Sequence, residues 1–447
     1  MESRVLPESL VIRGGRVIDP SANLDKVSDL FLIGDKIAEI GNLEHVPAGT
    51  KVFEASGMVV CPGFIDIHCH LREPGQEYKE TIASGTKAAA AGGFTTVCAM
   101  PNTDPPIDNR SILEFVTSKA RSEGSVRVLP IGCVTKRSEG RELAEMAELA
   151  DAGAIGFSDD GHPVWNANIM RQALSYGAGL GLPIINHCEV PELAQGASMN
   201  EGWIATRLGI RGMPNSAEEI MVARDISLAE LTGGHVHLAH VSTSGTLSLV
   251  KEAKRRGVKV TCEVTPHHLT LTDQLVMGSF DEENAFDPLS SFAYDTSAKV
   301  NPPLRSKEDV SVMAEGLSDG TIDFIATDHA PHSAIDKMCT FQEAAFGISV
   351  LETALGSVLT LVHNGLITLP KLISKLTTEP ASFLNSNLGT LQVGKPADIT
   401  IFDPNREWYV DSNKFLSKGK NTPLNGQCLK GKVKATFFGG QKIYEDS

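Results

Sequence analysis

Short apolar segments alternate with helix-compatible segments eight times between residues 58 and 329 of this 447-residue chain. Strands separated by helices pair in parallel, and eight such units favour an α/β fold with a closed (β/α)8 barrel of the TIM type. A doubly wound open sheet is the competing architecture, but no Gly-x-Gly-x-x-Gly motif opens a helix after the first strand. Strands are predicted over 58–70, 94–100, 126–134, 154–160, 183–189, 235–241, 259–266 and 323–329.

Helices are predicted between these strands, and a further pair follows the eighth strand. A long, acidic and turn-rich stretch, 279–300, interrupts the pattern, and a loop of that length is either functional or disordered. The helices are predicted over 78–91, 109–122, 139–151, 166–179, 216–231, 244–256 and 306–317, and the final pair over 341–363 and 369–377.

Both ends of the chain have the pattern of strands and turns rather than of helices. Before the barrel, glycine turns separate short apolar pieces, and helix signals fade again after about residue 389. We therefore expect the two ends to pair into one small β-sandwich domain beside the barrel. The predicted boundaries are 1–57 and 389–447 for the two parts of this β domain, and 58–388 for the barrel.

Composition excludes several classes of protein. The formal net charge of −15 and the absence of a basic tract argue against a nucleic-acid-binding protein. The sequence contains no run of eighteen apolar residues, so no membrane-spanning helix is predicted. The first residues lack the pattern of a signal peptide. The eight cysteines are scattered and form no CxxC pair, so we expect a reducing, cytoplasmic setting.

His68 and His70 stand at the end of the first predicted barrel strand. Alternate side chains of a strand share a face, so the two imidazoles point the same way and could chelate one metal ion. A lone His-x-His is more often a pair of hydrogen-bonded structural histidines, and the motif needs support from elsewhere in the chain.

That support comes from the other strand ends, because parallel barrels place their active sites at the C-terminal ends of the strands. Histidine or aspartate stands at the ends of strands one, four, five, six and eight. In a closed barrel these groups converge, and imidazole with carboxylate predicts a metal site that suits zinc, with manganese or cobalt as substitutes. The principal candidates are His68, His70, Asp159, Asp160, His187, His240 and Asp328.

Alternation along the sixth strand separates its three histidines. His240 is on the opposite face from His235 and His237, and it is nearest the end of the strand. Only one set can face the mouth of the barrel, so we expect His235 and His237 to lie on its outer side.

The other histidines are not expected to bind metal. Neighbours in a strand cannot share a face, which predicts that His267 and His268 support the site or lie in a loop. A structural role is expected for His45, His162 and His363.

Taken in order, these motifs resemble those of the dihydroorotase family of metal-dependent cyclic amidohydrolases. The resemblance spans nearly the whole chain, with one small departure at Cys69, where the family usually has an aliphatic residue. The motifs are Asp66-Ile67-His68-Cys69-His70-Leu71-Arg72-Glu73-Pro74-Gly75, Met100-Pro101-Asn102-Thr103, Ser158-Asp159-Asp160-Gly161, Asn186-His187-Cys188-Glu189, His240-Val241-Ser242-Thr243, Val300-Asn301-Pro302-Pro303-Leu304-Arg305, Ala326-Thr327-Asp328-His329-Ala330-Pro331-His332 and Gly394-Lys395-Pro396-Ala397-Asp398.

The resemblance implies two zinc ions per chain, joined by a carboxylate. Hydantoinase-like relatives use a carboxylated lysine as the bridge, whereas strand four here ends in Asp159-Asp160 without a lysine. The family pattern points to Asp160, although alternation along the strand leaves Asp159 open. The implied ligands are His68, His70 and Asp328 for one ion, His187 and His240 for the other, and Asp160 between them.

The implied reaction is the reversible hydrolysis of L-dihydroorotate to N-carbamoyl-L-aspartate in de novo pyrimidine biosynthesis, with Asp328 as the catalytic proton carrier. The substrate carboxylate suits the guanidinium of Arg72, because a planar guanidinium matches a carboxylate in a fork geometry. The implied substrate contacts are His70, Arg72, Asn102, Asn301 and His332, with backbone groups of Phe346 and Gly347.

Two other hypotheses of function compete with a dihydroorotase. Dihydropyrimidinases, hydantoinases and allantoinases share the chemistry but typically lack the Arg/Asn/His set and carry the bridging lysine. A non-catalytic partner of aspartate carbamoyltransferase would lack metal ligands, whereas every ligand position is filled here. We expect a homodimer without nucleic-acid or membrane partners, and a complex with aspartate carbamoyltransferase is left open.

Overall fold

The structure is a computed structural model that describes residues 9–43, 47–278 and 292–446, and it contains the predicted closed barrel. Eight parallel strands form two hydrogen-bonded groups, the first three and the last five. Bridges between Gly132 and Phe157 and between Cys69 and His329 join the two groups into a ring. The barrel strands are Phe64–Cys69, Phe94–Ala99, Arg127–Pro130, Phe157–Ser158, Ile184–Asn186, Val236–Leu238, Val260–Val264 and Phe324–Ile325.

Hydrogen bonds between the first and eighth strands close the barrel. The buried Asp66 carboxylate accepts from the backbone N–H of Thr327 at 2.8 Å and from its hydroxyl at 2.6 Å. The N–H of His70 donates to the carbonyl of His329 at 2.9 Å. This seam fixes the two strand ends that carry His70 and Asp328 side by side.

The strand predicted over 58–70 is two strands, which corrects the prediction. Val59–Pro62 pairs with Ser9–Asp19 and with Ile399–Tyr409, and the barrel strand begins only at Phe64. Gly63 separates them, and a Cβ at this position would lie 2.1 Å from the Thr95 hydroxyl. One unbroken apolar run therefore contributes a strand to the terminal sheet and another to the barrel. Apolar character alone cannot show where the first strand ends and the second begins.

The two chain ends form one sheet, as predicted, with a core of its own. Val59–Pro62 is its central link, because one neighbour comes from the N-terminal part and the other from the C-terminal part. The fold class, a (β/α)8 barrel with a β-sandwich domain built from both ends, is confirmed, while the residue boundaries of the domains stay a prediction. The strands of this sheet are Ser9–Asp19, Leu24–Ile33, Lys36–Gly41, Lys51–Glu54, Val59–Pro62, Ile399–Tyr409, Cys428–Phe438 and Gln441–Glu445.

Helices follow the barrel strands, most of them close to the predicted positions, but the helix predicted over 139–151 begins only at Met146. Local capping defines several starts; for example, the side chain of Asn109 accepts from two N–H groups at the beginning of Arg110–Glu123. The longer helices are Ile82–Ala91, Arg110–Glu123, Ala167–Leu180, Ser216–Thr232, Ser244–Arg255, Lys307–Asp319, Ala354–His363 and Leu369–Leu376. Shorter helices are Met146–Asp151, Pro191–Ala194, Trp203–Leu208, Pro266–Thr270, Ala334–Lys337 and Thr378–Phe383.

The helix predicted over 341–363 is wrong in its first half. Residues 341–353 run instead beside the end of the eighth strand, where Ile348 pairs with His329. Gly347 has a φ of 140°, which is incompatible with a helix. Of the stretch predicted as a long loop over 279–300, residues 279–291 lie outside the described residues, and Thr296–Ala298 forms a single 3-10 turn.

Residues 410–427 leave the terminal sheet and return to the mouth of the barrel. Glu352, just after the eighth barrel strand's loop, accepts from the N–H groups of Leu416 and Ser417 at 2.8 and 3.1 Å. Ser417 also donates to the buried Glu80 at 2.5 Å. In the described part of the chain no helix is long and apolar enough to cross a membrane.

Glu352 should make stability depend on pH, because burial raises the pKa of its carboxyl from 4.5 to about 7. Because the folded-state pKa is above the unfolded value, protonated Glu352 contributes fully to the free energy of unfolding below pH 4.5. This contribution is lost as pH rises through 7. In Glu352→Gln the side-chain oxygen can still accept these hydrogen bonds, but the side chain has no titratable proton. We expect its free energy of unfolding, relative to wild type, to rise by about 1–3 kcal/mol between pH 5 and pH 8.

Denaturant unfolding at several pH values measures this difference. Glu192→Gln, which removes an exposed carboxylate, is the matched control and should show no such trend. Parallel pH profiles for wild type and Glu352→Gln would contradict the assignment.

Candidate metal centre

Three predicted ligands meet where the first and eighth strands end. Nε2 of His68 lies 3.5 Å from Oδ1 of Asp328, and Nε2 of His70 lies 3.0 Å from the same oxygen. All three side chains are buried. Ligand atoms 2.0–2.1 Å from a tetrahedrally coordinated zinc lie roughly 3.3 Å apart. The spacing of this first group therefore fits a single ion.

A second group of ligands lies beside the first, and Asp160 stands between the two. Nδ1 of His187 and Nε2 of His240 are 3.0 Å apart and lie 3.6 and 3.3 Å from Oδ1 of Asp160. The other oxygen, Oδ2, lies 3.5 Å from Nε2 of His68 and from Nε2 of His70. Each oxygen of one carboxylate thus faces a different group of imidazoles.

Asp159, the alternative bridge, is turned away from the histidines. Its carboxylate accepts from the N–H groups of Val134 and Thr135 at 2.9 and 3.0 Å, and from the Thr135 hydroxyl at 2.5 Å. These hydrogen bonds hold the Asp159 carboxylate against the residues that follow the third strand. The geometry therefore favours Asp160 as the shared carboxylate.

His235 and His237 do not lie on the outer side of the barrel, which corrects the prediction from alternation. The ring of His237 is fully buried and stacks on Phe324 at 5.2 Å, inside the barrel. His235 packs at 5.7 Å against Phe383, and both histidines bond the hydroxyl of Thr261 at 2.8 Å.

The backbone explains how His240 still reaches the other predicted metal ligands. Its φ is +33°, so the strand geometry has ended and the side chain no longer obeys the alternation. Asp328 is likewise outside regular strand geometry, with a φ of +46°. Both ligands come from residues just past the strand ends, where period-2 reasoning fails.

Glu263 contacts the candidate site, and it was not predicted from the sequence. Its Oε1 lies 2.7 Å from Nδ1 of His68, and its Oε2 lies 3.1 Å from Nε2 of His237. A carboxylate behind a metal-binding histidine fixes the ring's tautomer and orientation. The sequence feature that could have indicated it is a carboxylate within the buried seventh strand, Val260–Val264.

Asn102 supports the other histidine of the His-x-His motif. Its Oδ1 lies 2.8 Å from Nδ1 of His70, which leaves Nε2 of that ring directed at Asp328. Asn102 also lines the cavity in front of these side chains.

The electrostatics of the site favour positive charge. Burial alone lowers the pKa of His68, but the neighbouring carboxylates of Asp160 and Asp328 raise it well above its usual range. Burial raises the pKa of Glu263, yet hydrogen bonds from His237 and His68 outweigh it and lower that pKa to about 2. Nε2 of His68 is buried without a hydrogen bond. A metal ion would satisfy this nitrogen and the carboxylates together.

A cavity of about 190 Å³ opens in front of these ligands. Arg72 is buried at its edge with a φ of +62°, and its guanidinium donates to the carbonyl of Pro331 at 3.3 Å and lies 3.4 Å from Nε2 of His332. Neither partner carries a negative charge. The residues predicted to contact substrate all line this cavity: His70, Arg72, Asn102, Asn301, His332, Phe346 and Gly347.

Some of the predicted substrate contacts already have protein partners. The NH2 of Asn301 donates to Glu189 at 2.7 Å and lies 3.2 Å from Nε2 of His187. The N–H of Gly347 donates to the carbonyl of Lys299 at 2.9 Å, and the carbonyl of Phe346 lies 2.8 Å from Nε2 of His332. The backbone of this segment therefore shapes the cavity wall while being held by other segments.

The remaining histidines lie where support or structure was expected. His267 and His268 are buried in the short helix Pro266–Thr270, and the ring of His268 bonds Thr265 and the carbonyl of Pro302. His162 and His363 are exposed, and His45 lies outside the described residues. Among the described residues, both groups of side chains with metal-binding spacing belong to the centre built around His68.

An eight-stranded barrel with histidines and aspartates at its strand ends is the arrangement found in metal-dependent amidohydrolases. Solved structures of that class superpose on the whole chain. An L-hydantoinase (dihydropyrimidinase) from Arthrobacter aurescens has a TM-score of 0.86 at 24% identity, covering 98% of this chain and 96% of its own. A dihydropyrimidinase from Brevibacillus agri has a TM-score of 0.82 at 22% identity, covering 98% and 95%. At this identity the likeness concerns the fold.

Sequence comparison identifies the family. A family model described as "Dihydro-orotase-like" matches residues 57–246. The dihydroorotase of Geobacter metallireducens is 48% identical over 437 residues, which cover 98% of this chain and 100% of that protein. The dihydroorotase of Pelotomaculum thermopropionicum is 51% identical over 439 residues, covering 98% and 99%. The chain belongs to the dihydroorotase family.

Glu263 should strengthen metal binding through His68. In Glu263→Gln the ring of His68 keeps a neutral acceptor but loses the buried carboxylate, and we expect Zn²⁺ affinity to fall about 10–100-fold. Titration against a competing chelator measures it. Glu315→Gln, at an exposed helix position, is the matched control. Equal affinities in Glu263→Gln and wild type would show that this carboxylate does not tune the site.

Proposed function

We propose that this chain is an active dihydroorotase, which reversibly hydrolyses L-dihydroorotate to N-carbamoyl-L-aspartate in pyrimidine biosynthesis. The relatives that match it over its full length carry that name. The observation that carries the proposal is the position of Arg72. Among the described residues the buried Arg72 guanidinium forms no ion pair, and it lines the same cavity as the proposed metal ligands. Such a group favours a substrate that brings its own carboxylate.

The centre is proposed to hold two zinc ions, for which manganese or cobalt could substitute. His68, His70 and Asp328 would hold one, His187 and His240 the other, and Asp160 both. Ligand separations of 3.0–3.6 Å and the unpaired Nε2 of His68 support this set. Bound zinc lowers the pKa of a coordinated water to about 7 and polarises a carbonyl group.

Asp328 is proposed to move the proton. In hydrolysis the oxygen of water bonds to the ring carbonyl carbon, the carbon–nitrogen bond breaks, and the ring nitrogen gains a proton. Oδ1 of Asp328 faces His68 and His70, so we assign the transfer to Oδ2, which would take the proton from water and deliver it to that nitrogen. Ring closure runs through the same steps in reverse.

Arg72 is proposed to bind the substrate carboxylate with the NH2 of Asn102 and the ring of His332. A buried cation without a counter-ion is costly, and a substrate carboxylate would remove that cost while its charge is desolvated. Asn301 would contact the ring, His70 the reacting edge, and the backbone of Phe346 and Gly347 would close the cavity. Hydantoin and dihydrouracil lack the carboxylate, so their binding would not be strengthened by an ion pair with Arg72.

The setting and assembly of the chain are further proposals. A cytoplasmic location fits the eight free cysteines, six of them buried. A homodimer, and association with aspartate carbamoyltransferase, rest on the family resemblance alone.

Ring-opening assays on three substrates test the function. Zinc-loaded wild type should open dihydroorotate at least ~100-fold more efficiently than dihydrouracil or hydantoin, because a site built for a polar group rejects analogues that lack it. Arg72→Met should lower kcat/KM on dihydroorotate by at least ~30-fold. Arg110→Met, at an exposed helix position, is the matched control.

Two results would contradict the proposal. One is faster opening of hydantoin or dihydrouracil by wild type, which would favour a hydantoinase-like activity. The other is full activity of Arg72→Met on dihydroorotate with wild-type metal content. Metal counting on each protein separates a lost substrate contact from a lost metal centre.

A further inference from the structure

Asn421 connects two segments that wall the substrate cavity. Its Oδ1 accepts from the N–H of His332 at 2.9 Å and from the hydroxyl of Ser349 at 2.9 Å. Its NH2 donates to the carbonyls of Ala330 and Gly347 at 3.1 and 2.9 Å. One side chain thus contacts residues 330–332 after the eighth strand and the neighbouring residues 347–349, which pair with that strand end.

The Asn421 side chain has no hydrogen-bonding capacity left over. It is 6% exposed, and both acceptor sites and both donor hydrogens of the amide are used. A buried amide that is fully paired holds one orientation, and removing it leaves several buried groups without partners. Asn421 therefore constrains the relative positions of the segments that it joins.

These segments carry the groups assigned to the substrate carboxylate. Nε2 of His332 lies 3.4 Å from the Arg72 guanidinium and 2.8 Å from the carbonyl of Phe346. Arg72 also donates to the carbonyl of Pro331. A shift of either segment would move His332 and loosen Arg72. Of the proposed metal ligands, only Asp328 is close in sequence to these segments, and the others lie at or just past the ends of other barrel strands.

Asn421 itself comes from the β domain, on the stretch 410–427 that returns to the barrel mouth. Close packing fixes its approach: a Cβ on Gly419 would lie 2.4 Å from Cβ of Pro331. Ser417 is tied to Glu80, and the N–H of Ser349 donates to the backbone carbonyl of Asn421 at 2.8 Å. The β domain thereby supplies part of the support for the substrate wall.

We propose that Asn421 is a positioning residue for carboxylate recognition: it holds His332 and the Phe346–Gly347 wall so that Arg72 and His332 meet the substrate together. The inference rests on the proposed function, because it assigns Asn421 to the same carboxylate subsite. Asn421 touches neither substrate nor metal ligands, so its loss should weaken substrate binding more than the chemical step.

Steady-state kinetics of two variants test this. Asn421→Asp keeps the acceptor for His332 but places an oxygen against two carbonyls, and Asn421→Ala removes every contact. We expect KM for dihydroorotate to rise at least ~10-fold in both, with kcat changed less than ~3-fold and wild-type zinc content. Binding of orotate, a ring with the same carboxylate, should weaken by a similar factor in calorimetric titration.

The matched control is Asn425→Asp, four residues further along, where the exposed Asn425 side chain accepts only from the N–H of Ser412. It introduces the same charge in the same segment and should keep the wild-type KM. Unchanged KM and orotate affinity in the Asn421 variants would overturn the proposal, as would an equal effect in Asn425→Asp. Loss of fold or of zinc in both Asn421 variants would also overturn it and assign a purely structural role. If wild type does not open dihydroorotate, the proposed function itself fails, whatever the variants do.

Discussion

The arrangement of the barrel mouth depends on one interaction, the sharing of the Asp160 carboxylate between two groups of imidazoles. One oxygen faces His68 and His70 and the other faces His187 and His240, at 3.3–3.6 Å. Buried carboxylates and imidazoles this close are costly unless a cation compensates their charge. The strand ends, the closing seam between the first and eighth strands, and the carboxylate of Glu263 all hold this arrangement in place.

The β domain takes part in the site as well as covering the barrel's side. Its stretch 410–427 reaches the mouth, where Asn421 joins the two segments that line the cavity opposite the metal ligands. The barrel strands thus position the reacting centre, and the chain beyond the barrel supports the substrate wall. With this division the proposed metal ligands and the proposed substrate wall are positioned by separate elements of the chain.

The sequence was sufficient to predict the barrel, the order of its strands and the residues around the cavity, because periodicity and strand-end positions carry that information. It was insufficient wherever the backbone leaves regular geometry. His240 reaches the centre through a φ of +33°, so alternation misplaced His235 and His237. The apolar run at 58–70 serves two sheets, which hydrophobicity cannot show. Glu263 and Asn421 act through contacts between residues far apart in the chain, 195 residues for Glu263 with His68 and 89 for Asn421 with His332.

Anomalous scattering from crystals of the zinc-loaded protein tests the central claim most directly. We predict two zinc peaks per chain, one among His68, His70 and Asp328 and one beside His187 and His240, each next to a different oxygen of Asp160. A single peak, or a peak bound by Asp159, would contradict it.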